Sequence, residues 1–174
     1  MTQQEIKGII RNVPDFPQKG IQFKDLTTAF VRPDCLNWFQ TELTKAYQDK
    51  GITKVLGIES RGFIIAPTVA MALGAGFVPV RKKGKLPAEV VQQSYLKEYG
   101  TDTIEIHKDA LSPDDVVMIH DDLLATGGTI EAAINLVRKF GVKKIYASFL
   151  VELDALEGRK AIGESVEVYS LIHY

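Results

Sequence analysis

The feature that most constrains this chain is a series of short, uninterrupted apolar runs: KVLGIE from Lys54, FVPV from Phe77, DVVMIHDD from Asp115 and KIYASFLV from Lys144. Stretches of helical periodicity separate the runs, and EVYSLI from Glu167 offers one more. A strand that is apolar at every position must be covered on both faces, and crossover helices between successive strands supply that cover. The expected fold is therefore α/β, a doubly wound and mainly parallel sheet. Open sheets of this kind bind ligands at the carboxyl ends of their strands.

The rest of the chain fits around that frame as one domain, 1–174, with no repeat and no linker-like shift in composition. Residues 1–32 open with Ile6, Ile9, Ile10 and Val13 at helical spacing, a pattern that Pro14 and Pro17 stop. An irregular loop, PDFPQKGIQFKDLTT, follows. A second helix is predicted from Pro33, with Leu36, Phe39, Leu43 and Tyr47 on one face and Gly51 beyond its end. The stretch 63–80 carries no charge, at a length where a membrane span becomes conceivable. Pro67, Gly74, Gly76 and Pro79 punctuate it as a buried helix, a turn and a strand instead. Residues 82–109 break the rhythm and read as a two-stranded antiparallel insertion, a mobile cover over the strand ends.

Charge narrows the function classes. Lys and Arg total 21 against 22 Asp and Glu, a net charge of −1, so the molecule as a whole attracts neither nucleic acid nor an anionic membrane. Any anion site must be local. Cys35 is the single cysteine, which excludes an intramolecular disulfide and fits a reducing cytoplasm. The N-terminus lacks a signal-peptide pattern. His107, His120 and His173 show no metal-ligand spacing, and His120 reads as structural.

The densest chemistry lies in VMIHDDLLATGGT, 117–129, a strand ending in two carboxylates, then a Thr- and Gly-rich turn, then a helix of about 129–140. Gly127 and Gly128 let backbone N–H groups converge on an anion, Thr126 and Thr129 add hydroxyls, and the helix N-terminus adds a favourable dipole. This is a monophosphate cradle; no Lys follows the glycines as a Walker loop requires, and the GxGxxG spacing of dinucleotide folds is missing. Asp121 and Asp122 suit two vicinal hydroxyls, or Mg2+ held through water. A phosphorylated sugar satisfies both halves. RKKGK, 81–85, concentrates four of the 21 basic residues where they could hold a diphosphate.

DDLLATGGT resembles the phosphoribosyl-pyrophosphate motif of the type I phosphoribosyltransferases, in the wording of the adenine-specific members. Five further segments match in order along nearly the whole chain: PDFPQKGIQFKD, ESRGF, RKKGKLP, SYLKEYG and VELDALEGR. The resemblance implies transfer of a 5-phosphoribosyl group from phosphoribosyl pyrophosphate to adenine, giving AMP and pyrophosphate with Mg2+, in a homodimer. It assigns Asp121, Asp122, Ala125, Thr126, Gly127, Gly128 and Thr129 to the ribose 5-phosphate. Glu59, Ser60, Arg61, Arg81, Lys82 and Lys85 fall to pyrophosphate, with the Glu59–Ser60 link commonly cis in the family and one basic residue serving the partner subunit. Adenine falls to the main chain of Gln22, to Phe23 as a stacking ring and to Lys24, where the family more often has Arg. Glu98 matches the carboxylate that handles a purine-ring proton, with Arg61 as the other catalytic group and Tyr99 closing the lid. The alternatives are the same chemistry on hypoxanthine, guanine or xanthine, and a non-catalytic sensor of phosphoribosyl pyrophosphate.

Overall fold

The computed structural model describes residues 1–174 other than 17, 18, 21, 98 and 99, and the main chain alone of Lys97. Glu98 and Tyr99 therefore lie outside the described residues. In chain order the elements are α1 (Gln3–Ile9), β1 (Arg11–Pro14), β2 (Gln22–Asp25), α2 (Thr27–Phe30), α3 (Pro33–Tyr47) and β3 (Lys54–Ile58). A 3-10 turn (Arg61–Phe63), α4 (Ala66–Leu73), β4 (Gly76–Lys82), β5 (Val90–Lys97), β6 (Gly100–His107) and β7 (Val116–Leu124) follow. The chain finishes with α5 (Gly128–Arg138), β8 (Lys144–Glu152), a 3-10 turn (Asp154–Leu156), α6 (Arg159–Ile162) and β9 (Glu167–His173).

Seven strands form one sheet in the order β5-β6-β4-β3-β7-β8-β9. The five apolar runs are the parallel strands β4, β3, β7, β8 and β9, each hydrogen-bonded to its neighbour in that order, and helices cover both faces. One face carries Val55, Met118, Tyr146 and Leu150 against Phe39, Leu43, Val69 and Ala70 of α3 and α4. The other carries Leu56, Val117, Ile119 and Phe149 against Ile130, Ile134 and Val137 of α5. Pro33 starts α3 and Pro67 sits in the first turn of α4, where a missing N–H costs nothing. No helix among the described residues is long and apolar enough to cross a membrane.

Two expectations change. Helical spacing predicts a helix through Val13 with an irregular loop after it, but α1 stops at Ile9 and Val13 lies in β1. Pro14 disfavours helical geometry in the residue before it, and β1 pairs antiparallel with β2, inside the expected loop, with Val13 opposite Phe23. The insertion 82–109 is the expected antiparallel hairpin, but its base is no free cover. Arg81 and Lys82 of β4 pair with β6, Ile104 and Ile106 are buried in the core, and Val91 and Tyr95 pack against it. Lys139 Nζ also donates to the Gln92 carbonyl at 2.7 Å. Alternating side chains of a strand pair reach the sheet core wherever the strands join its edge.

Candidate active site

The carboxyl ends of β3 and β7 part around a cleft of about 240 Å³ lined by Glu59, Ser60, Arg61, by 121–130 and by Phe149. Expectation placed the acidic pair, the Thr/Gly turn and the ESRGF turn at one site, and all three line this cleft. The reason is register. β3 pairs with β7 from Lys54↔Val117 to Gly57↔His120 and ends at Ile58, so β7 runs on past it with Asp121 and Asp122, held on its other side by β8 through Asp121↔Phe149.

The turn after β7 is shaped by glycine at two positions. Gly127 is the N-cap of α5 with φ +88°, a left-handed conformation that L side chains rarely adopt. A Cβ there would meet the Gly158 carbonyl oxygen and lie 2.8 Å from the Ala161 methyl. Reciprocally, a Cβ on Gly158 would meet the Ala125 carbonyl oxygen. The segment entering α6 thus closes on the back of the turn, a packing role that the sequence did not reveal; the pair of glycines was its only signal. The free N–H groups at the start of α5 face the cleft side with the positive end of the helix dipole.

Across the cleft, Glu59–Ser60 is cis. Glu59 Oε2 accepts from the Lys82 N–H at 3.0 Å and from Arg81 Nε at 3.2 Å, and these bonds, the main-chain one foremost, hold its carboxyl below the usual range. The Glu59 side chain therefore ties the basic turn to the end of β3. Lys85 N–H closes that turn on the Lys82 carbonyl, and Gly84 N–H is held by buried Glu105 at 3.0 Å. Among the described residues neither Lys82 nor Lys85 has an ion-pair partner, whereas Arg81 is held by Glu59.

Arg61 joins the subsites. Its Nε lies 2.9 Å from Asp122 Oδ2, yet its N–H is not aligned on that oxygen, which is buried without a hydrogen bond. The guanidinium carbon also sits 5.5 Å from the centre of the Phe23 ring. Burial, with Asp122 beside it, holds the Asp121 carboxyl well above the usual carboxylate range. Burial lifts Asp122 as well, against the pull of Arg61. Asp121 Oδ1 accepts from the Asp122 N–H at 2.9 Å, whereas the raised Asp122 carboxyl keeps Oδ2 without a hydrogen bond, a setting that favours a ligand hydroxyl or a cation.

The N-terminal hairpin delivers Phe23 to Arg61, with Phe16 edge-on to it at 5.2 Å. Gln22 lies opposite Pro14, which has no N–H to give its carbonyl. Lys24, expected at the base with these two, lies by alternation on the same face as Gln22 and the opposite face from Phe23, with its ammonium 3.1 Å from Asn12 Oδ1. His120 is structural as read. Its ring is fully buried, Nδ1 lies 3.0 Å from Ser148 Oγ, and burial pushes it down to about 4.

Fold and site together define a sugar-phosphate enzyme architecture, an acidic pair and a helix-capped turn at the strand ends of a doubly wound sheet. The model of the phosphoribosyl transferase domain matches residues 40–172. The adenine phosphoribosyltransferase of Bacteroides thetaiotaomicron is 55% identical over 172 residues, covering 99% of this chain and 98% of that protein. The crystal structure of adenine phosphoribosyltransferase from Rhodothermus marinus is 50% identical, covers 99% of this chain and 98% of its own, and superposes with a TM-score of 0.92. The APRTase of Giardia lamblia, complexed with 9-deazaadenine, is 47% identical with a TM-score of 0.94, over 100% of this chain and 98% of its own. The chain belongs to the phosphoribosyl transferase family, in its adenine phosphoribosyltransferase branch.

Proposed function

We propose that this protein salvages adenine: it transfers the 5-phosphoribosyl group of phosphoribosyl pyrophosphate to N9 of the base, releasing AMP and pyrophosphate. The observation that carries the reading is the single cleft joining a glycine-shaped anion turn to a buried acidic pair, which Arg61 links to the Phe23 ring. The relatives' names supply the base.

In this reading the turn 125–129 grips the 5-phosphate through main-chain donors and the Thr126 and Thr129 hydroxyls. Asp121 and Asp122 accept from the ribose hydroxyls and hold the ring so that C1 faces the base. As the C1–O bond breaks, positive charge grows on the ribose and negative charge on the diphosphate. Arg61, Arg81, Lys82 and Lys85 stabilise the diphosphate more strongly as it leaves. Glu59 contributes by holding Arg81 and the Lys82 main chain in place, beside the Ser60 end of the turn. N9 of adenine forms the new bond and the ring loses a proton, a task given to Glu98, with Tyr99 closing over the site. Phe23 stacks on the base, and the Gln22 carbonyl accepts from its exocyclic amine; a 6-oxo base would set lone pair against lone pair there.

The carboxylates fit a hydrated Mg2+, since Asp122 Oδ2 is buried without a hydrogen bond and both carboxyls are raised by burial. Asp121 and Asp122 would hold it through its waters, and it would supply charge neutralisation at the diphosphate. The reading includes a homodimer in which one of Arg81, Lys82 and Lys85 serves the neighbouring site, and a cytoplasmic location, consistent with a free, buried Cys35. Incubating the protein with phosphoribosyl pyrophosphate, Mg2+ and each purine base in turn tests it. AMP from adenine alone, abolished by a chelator, is expected; equal turnover of guanine or hypoxanthine would overturn the assignment of the base, and no nucleotide from any base would leave only a sensor.

A further inference from the structure

On the face of the β1–β2 hairpin away from Phe23 lies a chain of contacts that the proposed chemistry does not use. The register sets Asn12 opposite Lys24 and Pro14 opposite Gln22, so these four share one face. Asn12 Oδ1 accepts from Lys24 Nζ at 3.1 Å, and Asn12 Nδ2 donates to Gln22 Oε1 at 2.6 Å. An ammonium only donates, which requires the Asn12 oxygen to face Lys24 and leaves its NH2 for Gln22. The Lys24 ammonium also lies 4.3 Å from the centre of the Tyr174 ring. Tyr174 in turn is fixed to the main sheet: its N–H donates to the Glu152 carbonyl at 3.0 Å, and its carbonyl accepts from Asp154 N–H at 2.9 Å. The hairpin is thereby seated on the sheet through Tyr174, and the Gln22 amide is tied back.

We infer that Asn12, Lys24 and Tyr174 are positioning residues for selection of the acceptor base, acting by holding the Gln22 side chain away from its edge; the inference rests on the adenine reading above. A carboxamide carries both a donor and an acceptor and can turn either toward a ligand. Loose beside the base, the Gln22 amide could pair with a 6-amino or a 6-oxo group alike. A main-chain carbonyl only accepts, so it favours the amine. Discrimination by the main chain survives only while the amide is engaged elsewhere, and the contacts from Gln22 through Asn12 and Lys24 to Tyr174 engage it. The same contacts fix the hairpin that carries Phe23, while leaving the phosphate turn untouched.

The test measures kcat/KM for adenine and for hypoxanthine, together with KM for phosphoribosyl pyrophosphate, in the full-length protein and in Asn12→Ala, Lys24→Met, Tyr174→Leu and Tyr174→Phe. In the first three, KM for adenine is expected to rise about threefold to tenfold, the scale of the cation–π seat lost in Lys24→Met and Tyr174→Leu and of the hydrogen bonds lost in Asn12→Ala. The preference for adenine over hypoxanthine is expected to fall by a similar factor, with KM for phosphoribosyl pyrophosphate unmoved. Tyr174→Phe keeps the ring and should restore the wild-type preference, which separates the seat from the hydroxyl. An unchanged preference in Asn12→Ala and Lys24→Met, or a parallel rise of both KM values, would overturn the inference. Those two substitutions lie on an exposed and a half-buried position and carry the test if Tyr174→Leu does not fold. A wild-type protein that forms no AMP would instead defeat the adenine reading itself.

Discussion

Alanine at Gly127 separates a shaped anion turn from an ordinary helix start. The residue holds φ +88°, and placing an L side chain in the left-handed region costs about 1–2 kcal/mol. The added Cβ would also collide with the Gly158 carbonyl and the Ala161 methyl, and relieving such overpacking costs about 1–3 kcal/mol more. Together these predict a loss of about 2–5 kcal/mol. Gly141 supplies the control, because its φ is +68° and a Cβ there meets nothing within 4 Å. Gly141→Ala should therefore show the backbone share alone, about 1–2 kcal/mol. Urea unfolding of both variants gives the difference directly, provided the slopes agree. Function adds a second readout. If the turn moves away from Gly158 and one main-chain donor loses the phosphate, a charge-assisted bond worth about 1.5–3 kcal/mol is gone. KM for phosphoribosyl pyrophosphate should then rise about tenfold to a hundredfold in Gly127→Ala only. Equal destabilisation of the two variants with unchanged KM would refute the claim that α6 and Gly127 shape the turn.

His120 and Asp122 provide two further checks. The folded value of His120 is about 4 against an ordinary 6.5, so between those limits the unfolded chain binds a proton that the folded one rejects. Its contribution is complete above about pH 6.5 and is lost as the pH falls toward 4, with a slope of up to about 1.4 kcal/mol per pH unit. The urea midpoint of wild type should fall relative to that of His120→Leu as pH drops through that window; parallel curves would show that the ring titrates normally. Asp122→Asn keeps the shape but removes the anion beside Arg61, and kcat/KM for phosphoribosyl pyrophosphate should fall at least about tenfold with circular dichroism unchanged. Wild-type kinetics in that variant would remove Asp122 from the sugar site.

The sequence by itself determined the parallel sheet, because a strand apolar on both faces, such as 116–119 or 145–151, is stable only between two layers. It also determined the anion turn, since the carboxylates, hydroxyls and glycines of 121–129 are consecutive and their geometry follows from one strand-to-helix junction. What lay beyond it depended on partners distant in the chain. The β1–β2 hairpin exists because 22–25 pairs with 11–14, a choice that helical spacing in the first residues could not reveal. Lys24 faces Tyr174 and not the Phe23 side of the hairpin because strand alternation, fixed by that pairing, assigns its side. The Gly127–Gly158 approach and the Arg61 link between Asp122 and Phe23 likewise join segments widely separated in sequence. Local pattern records what a residue can do over a few neighbours; only the closed tertiary structure decides which distant groups reach it, because that depends on register and packing summed over the whole sheet.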